Sequence, residues 1–237
     1  MTLISELTIE KRISAALVIS PFSIFNIYKN MSLTFVLIGL NVAISLYAWK
    51  SPEFMQSWVF HPYSVKRNNQ WYRFLTSGFL HADWGHLFFN MFSLYFFGAA
   101  VEGLYKMYFG PEMGAVWFLA LFVIGVIVSD IPTYFKHKDD HNYYSLGASG
   151  GVSTIIFASI LYSPMNKICL YGFICMPGIV LGILYLIYSY YEAKKSRDNV
   201  NHSAHFYGAV VGVILGLVLV PEAAGNFMSE ILQALPF

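Results

Sequence analysis

The sequence predicts an all-α, polytopic membrane protein: a six-transmembrane-helix bundle with a long interfacial loop between its first and second helices. Three observations carry that expectation. Of 237 residues, 57% are apolar, 18% aromatic and only 11% charged, whereas soluble domains carry roughly 25% charged residues. The mean hydropathy is correspondingly high, at +0.56. The charges are also unevenly spread, leaving six windows free of Asp, Glu, Lys and Arg: Asn30–Trp49, Trp84–Val101, Met113–Ser129, Asn142–Asn166, Ile168–Tyr191 and Asn199–Pro221. Charge is costly at mid-bilayer, so charge-free windows mark spans. A net charge of +1, with no basic stripe interleaved with aromatics, gives no case for nucleic acid as a partner.

Taken in order, residues 1–29 form an N-terminal arm. Its stretch Ile13–Tyr28 is apolar but broken by Pro21, which suits an interfacial helix or an amphipathic cytosolic arm better than a seventh span. Met1 to Arg12 contains Glu6 and Glu10 and has no cationic start or small-residue cleavage site, so no removable signal peptide is expected. Residues 30–221 form the membrane domain. Between its first two windows, Lys50 to His81 is a long insertion carrying Trp58, Phe60, Tyr63, Trp71 and Tyr72, aromatics of the kind that favour a membrane interface. A polar loop, Asp130–Leu146, leads into the fourth window.

That fourth window is the unusual one. Gly147 interrupts it near one end and Ser163-Pro164 near the other, which places its helix at Ser149 to Tyr162. At about 1.5 Å rise per residue this helix is roughly 21 Å long, against about 30 Å for a bilayer core. Ser149 therefore starts a helix inside the membrane thickness, preceded by irregular backbone. Such backbone survives at that depth only inside protein or beside a wet cavity. The fifth window is read as a helix throughout; Cys169 and Cys175, six residues apart, then fall on different helix faces and a disulfide is not expected. The sixth window carries Gly208, Gly212 and Gly216, a smooth stripe on which another helix packs closely. Residues 222–237 are read as a short C-terminal tail.

Three clusters could carry chemistry. The first is Gly147-Ala148-Ser149-Gly150, a single hydroxyl at a helix start. The second runs from His81 to Asn90: Asp83 is a plausible N-cap for the second span, which sets His86 and Asn90 one turn apart on one face. As isolated residues they could equally be interhelical packing glue. Zinc binding is argued against by the five-residue spacing of His81 and His86 and by the absence of an H-E-x-x-H pattern. The third is Ala204-His205-Phe206-Tyr207-Gly208. His205 lies on the glycine stripe, so close packing of that stripe against Gly150-Gly151 brings the imidazole toward Ser149. A serine hydroxyl is a weak nucleophile until a base within hydrogen-bond reach takes its proton. No acidic residue adjoins His205, so a Ser149–His205 dyad is the economical proposal. The oxyanion donors would be the Ser149 backbone N–H at the helix N-terminus, His86 and Asn90.

These stretches, Gln70 to Glu102, Gly147 to Gly150 and Ala204 to Gly212, resemble the rhomboid intramembrane serine proteases, over the body from about Asn30 to Pro221. The resemblance implies Ser149 as nucleophile, His205 as base, and His86 and Asn90 on the oxyanion side. His81 matches the first histidine of the family's H-x4-H-x3-N motif, with a structural role. Arg73 and Glu102 match family positions read as scaffold, as are Gly147, Gly150, Gly208 and Gly212. It further implies an endopeptidase that cuts transmembrane segments of other membrane proteins, working among membrane lipids without metal or cofactor. The fifth helix and the following loop would gate access. Two departures stand out. Ser153 replaces an aromatic ring that commonly packs on the catalytic histidine, a place Phe157 or Phe206 would have to fill, and Tyr72 stands where Trp is frequent before the loop arginine.

For location, the resemblance implies the bacterial cytoplasmic membrane with both termini cytoplasmic. The positive-inside rule points the other way, since that topology leaves Lys11, Arg12, Lys29, Lys106 and Lys167 inside and the other nine of fourteen Lys and Arg residues outside. Two other readings compete. One is a catalytically silent relative that binds transmembrane helices for quality control or trafficking, which has no need of both Ser149 and His205. The other is a transporter, for which inverted-repeat symmetry and paired broken helices are missing.

Overall fold

The computed structural model describes residues 32–170, 174–195 and 201–234; the expected arm 1–29 lies outside them. Helix α1 (Leu33–Lys50) is followed by the insertion, which folds as three short helices: α2 (Pro52–Trp58), α3 (Pro62–Asn68) and α4 (Arg73–Thr76). Proline occupies the first turn of α2 and α3, where its missing N–H costs nothing. Helix α5 spans Trp84–Phe109, with a π turn at Leu94–Gly98. After it come α6 (Pro111–Ser129), α7 (Ile131–His137), α8 (Ser149–Tyr162), a β1–β2 hairpin (Lys167–Leu170, Ile174–Pro177), α9 (Gly178–Lys195), α10 (His202–Leu219) and α11 (Ala223–Ala234). Among the described residues, four helical stretches are long and apolar enough to cross a membrane, Leu33–Lys50, Trp84–Phe109, Pro111–His137 and His202–Leu219; Ser149–Tyr162 and Gly178–Glu192 are shorter apolar helices.

Helix α8 is the axis. It runs over the residues expected from its flanking breakers and is buried around almost its whole circumference. Small residues let its neighbours approach to backbone distance. On one side, a Cβ added at Gly125 of α6 would lie 2.4 Å from Thr154 Oγ1, and one at Gly151 would lie 2.9 Å from Phe122 O. On the other, a Cβ at Gly208 of α10 would lie 2.3 Å from Gly150 O, and one at Gly212 would lie 2.2 Å from Thr154 O. Thr154 Oγ1 donates within this seam, with Gly150 O at 2.9 Å and Gly208 O at 2.8 Å as its acceptors. The apolar core, including Leu94, Val101, Phe118, Leu121, Phe122, Ile155 and Ala158, fills the space between α5, α6 and α8.

Charge placement does not by itself end a helix here. Helix α5 continues past its expected end through Glu102, a buried carboxylate. Ser32 Oγ donates to it, as do the backbone N–H groups of Leu33 and Thr34 at 2.9 Å each. Lys106 Nζ pairs with it at 2.6 Å. The N-terminus of α1 lacks a cap of its own, so Glu102 satisfies its orphan donors from a neighbouring helix.

The fifth window departs from expectation. Helix begins only at Gly178, after Pro177, and the residues before it pair as antiparallel strands with Cys169 opposite Cys175. Those two cysteines form a disulfide, contrary to the sequence reading. In a strand pair, directly opposed residues bring their side chains together, so the helix-face argument does not apply. The expected tail is also structured: 223–234 is a helix, held by Tyr108 Oη donating to Glu222 at 2.9 Å and by Met165 N donating to Glu230 at 3.4 Å.

Candidate active site

The serine turn is built by the insertion. Arg73 is buried and spends its guanidinium on carbonyls of the preceding chain, Gln56 O at 2.9 Å and Val59 O at 2.7 Å. Its Nε donates to Gln70 Oε1 at 2.7 Å. Phe60, next to Val59, exchanges both backbone hydrogen bonds with Ser145, at 2.9 and 3.0 Å. Two residues on, Gly147 N donates to Ser77 O at 3.0 Å. Gly147 adopts φ of +130°, a backbone conformation that strains any residue with a Cβ. Together these contacts aim the chain so that Ser149 opens α8 with its side chain half-buried. The first N–H groups of that helix are left without intrahelical partners.

His86 faces this turn. Asp83 accepts from His86 N at 2.8 Å, the expected N-cap of α5. Ala82 N donates to His86 Nδ1 at 3.4 Å, which makes Nδ1 the acceptor and puts the proton of the neutral ring on Nε2. The point where a Cβ of Gly147 would sit is 2.7 Å from His86 Nε2 and 3.7 Å from Ser149 Oγ. The His86 ring therefore packs directly on Gly147, within reach of the Ser149 hydroxyl, an approach that a side chain at 147 would block. Asn90, buried one turn below, donates through Nδ2 to His86 O at 3.0 Å, and its second amide hydrogen is not used in that bond.

His81 stands behind His86 with ring centroids 4.9 Å apart. It is wholly buried, with Nδ1 2.9 Å from Ser45 Oγ, and its backbone carbonyl accepts from Trp49 Nε1 at 2.7 Å. Burial, helped by the neighbouring His86, pushes the His81 imidazole down to about 3, so it is neutral at physiological pH and serves as a wedge between α1 and α5.

His205 enters from α10. Asn201 caps that helix, its Oδ1 accepting from Ala204 N at 3.1 Å and its carbonyl from His205 N at 3.3 Å. Asn201 is itself held by Asp130 at the end of α6, whose Oδ1 accepts from Asn201 Nδ2 at 2.9 Å. Since Gly208 lies against Gly150, and a helix rises about 5.4 Å per turn, His205 sits roughly one turn from the seam on the same end of the bundle as Ser149. Two rings neighbour its imidazole: His202 edge-on, with centroids 5.7 Å apart, and Tyr185 of α9 nearly face-on, with centroids 6.1 Å apart and planes 17° from parallel. Tyr185 Oη is 2.9 Å from Ser153 Oγ. Phe157 packs on Tyr185 and Phe206 on Tyr190. Sequence reading missed Tyr185, Asn201 and Asp130. The small polar Ser153 was the one signal that a ring must come from elsewhere.

Among the described residues, no group of three or more His, Cys, Asp and Glu side chains is placed to hold a metal ion. The arrangement is suited to acyl transfer: a half-buried hydroxyl, an imidazole across a backbone-close seam, and an N–H donor opposite.

Comparison with known proteins finds a family model, Rhomboid domain, matching residues 68–222. RHOMBOID-like protein 12, mitochondrial, of Arabidopsis thaliana is 31% identical over 147 residues, which is 59% of this chain and 44% of that protein. Rhomboid-like protein 11, chloroplastic, of the same plant is 28% identical over 200 residues, 76% and 62% of the two chains. Rhomboid protease GluP of Bacillus subtilis (strain 168) is 27% identical over 171 residues, 72% and 30% respectively. The match therefore spans less than two thirds of the length of each of these relatives.

Proposed function

This chain belongs to the rhomboid family, and from that premise we propose that it is an intramembrane serine endopeptidase that cleaves transmembrane segments of other membrane proteins through Ser149 and His205. The observation that carries the proposal is the approach at Gly147, where the half-buried Ser149 hydroxyl and His86 Nε2 both lie within 4 Å of the point a Gly147 Cβ would occupy. Glycine at φ of +130° is what permits that approach.

In the proposed reaction Ser149 Oγ attacks the scissile carbonyl carbon while His205 takes the hydroxyl proton. The carbonyl oxygen becomes an oxyanion, met by the Ser149 N–H at the start of α8, by His86 Nε2–H and by the spare Asn90 amide hydrogen. Donors aimed at developing charge in a site shielded from bulk water are worth far more than in water. The imidazolium then gives its proton to the departing amine, the C–N bond breaks, and a water molecule, activated by the same imidazole, hydrolyses the acyl ester. Irregular backbone before Ser149 and the short span of α8 support entry of that water from one surface.

The protein is an integral membrane protein. We place it in a bacterial cytoplasmic membrane with both termini cytoplasmic. In that topology the Cys169–Cys175 hairpin, at the far end of α8 from Ser149, faces a reducing compartment, where disulfides are rare. The close approach of the two sulfurs lets the redox state of this pair in growing cells test the topology directly: free thiols support it and a disulfide reverses it.

The test of function is co-reconstitution in liposomes with a single-pass membrane reporter, with product ends read by mass spectrometry. Cleavage within or beside the apolar segment that is lost in Ser149→Ala is the expected result. Binding of the reporter without cleavage would favour a catalytically silent rhomboid-like protein.

A further inference from the structure

Helix α9 is the peripheral member of the bundle. Ile183, Leu184, Ile187, Tyr188 and Tyr191 along it are each half or more exposed. Its inward side reaches the centre through Gly182, whose added Cβ would lie 3.2 Å from Ile160 Cδ1 and 3.4 Å from the Phe157 ring, and through Tyr185. That one side chain touches two other helices. Its ring lies nearly parallel to His205 of α10, and its hydroxyl pairs with Ser153 of α8. Ser153 is buried and stands one turn after Ser149. A hydroxyl clamp on the nucleophile's own helix thus fixes a ring on the base.

We propose that Tyr185 is the positioning residue for His205, making the orientation of the base conditional on α9 being seated against α8. This rests on the reading of Ser149 and His205 as the dyad. An imidazole on a single-bonded stem rotates about two torsions, and only one range of ring planes directs a nitrogen at a hydroxyl across the helix seam. Stacking on Tyr185 restricts that plane, and the electron-rich face favours the imidazolium formed when the proton is taken. The ring does the positioning, while the Ser153 pairing only holds the ring. The two contributions therefore separate by substitution.

The test uses the full chain in detergent, with a fluorophosphonate as probe and saturation kinetics that separate the inactivation rate constant from the half-saturation concentration. Tyr185→Leu is expected to lower the rate constant about 30-fold, part of the 10²–10⁴-fold that a positioned base supplies, with half-saturation within twofold of wild type. Tyr185→Phe and Ser153→Ala each keep the ring and are expected to fall about threefold, and their combination no further, as for two members of one contact. The second readout does not need a reactive serine. In a Ser149→Ala background, the His205 ring resonances and their titration midpoint are followed by NMR with and without Tyr185→Leu; both are expected to move. A wild-type chain that does not react with the probe counts against the dyad, while the resonances still decide whether Tyr185 holds the imidazole. Unmoved resonances, a Tyr185→Leu rate constant within twofold of wild type, or equal losses in Tyr185→Phe and Tyr185→Leu would each overturn the proposal.

Discussion

Replacing Gly208 with alanine adds one methyl group at the backbone-close point of the α8–α10 seam nearest the dyad. The new Cβ would lie 2.3 Å from Gly150 O and 3.1 Å from Gly150 C and Cα. Ordinary contact begins near 3.4 Å, and the obstructing atoms are backbone in a buried helix, so no side chain can turn aside. The helices must separate by about 1 Å, close to the tolerance within which proton transfer across a hydrogen bond works; a misplacement of that size can cost roughly 10²-fold in rate. Gly208 follows His205 by one turn and Gly150 follows Ser149 directly, so the separation falls on the dyad. The assay is the fluorophosphonate labelling rate, run beside the thermal midpoint in the same detergent. Gly103→Ala on α5 serves as control, because nothing lies within 4 Å of its added Cβ and alanine is favoured over glycine in a helix by about 1 kcal/mol. A folded Gly208→Ala variant that labels at the wild-type rate would refute the claim that this seam sets the distance between nucleophile and base.

Other outcomes follow from the same contacts. Glu102→Ala removes the acceptor shared by Ser32, Leu33, Thr34 and Lys106; buried donors left without partners cost about 1–3 kcal/mol each, so the thermal midpoint should fall by several degrees, more than for Glu102→Gln. Asn201→Ala deletes the N-cap of α10, worth about 1 kcal/mol, and releases Asp130; a modest loss of stability with a larger loss of labelling rate is expected, because the freed turn carries His205. Acid should destabilise the fold partly through His81. Its folded value of about 3 lies below the ordinary 6.5, so the unfolded chain binds the extra proton between those values. Stability is full above pH 6.5 and is lost as pH falls toward 3. The midpoint-versus-pH slope across that window should flatten in His81→Gln.

How much of this was legible beforehand depends on the kind of signal. The limits of α8 came from local breakers, Gly147 on one side and Ser163-Pro164 on the other, and the structure keeps them. The packing of α10 on α8 was readable because backbone-close contact demands glycine at a helical repeat. Charge-free windows failed where the identity of the element mattered. The stretch 168–177 is as apolar as a helix, yet Gly172 and Pro177 interrupt it, and its inclusion in a span carried the cysteine pair onto different helix faces. The second charge-free window stops at Val101, whereas α5 runs on through Glu102 and carries it inward because α1 supplies its donors. Tyr185, Asn201 and Asp130 act through contacts 20 to 71 positions apart in the chain, which no spacing rule reaches. The missing ring at Ser153 was visible, but the helix that supplies one was not.

The central claim is an activated serine at the start of α8. It is tested most directly by exposing the purified protein to a fluorophosphonate probe, side by side with Ser149→Ala and His205→Ala. The account predicts covalent labelling of the wild type at Ser149, mapped by mass spectrometry, and none in either variant. A folded wild type that stays unlabelled while an active serine hydrolase in the same detergent reacts, or labelling that survives His205→Ala, would contradict it.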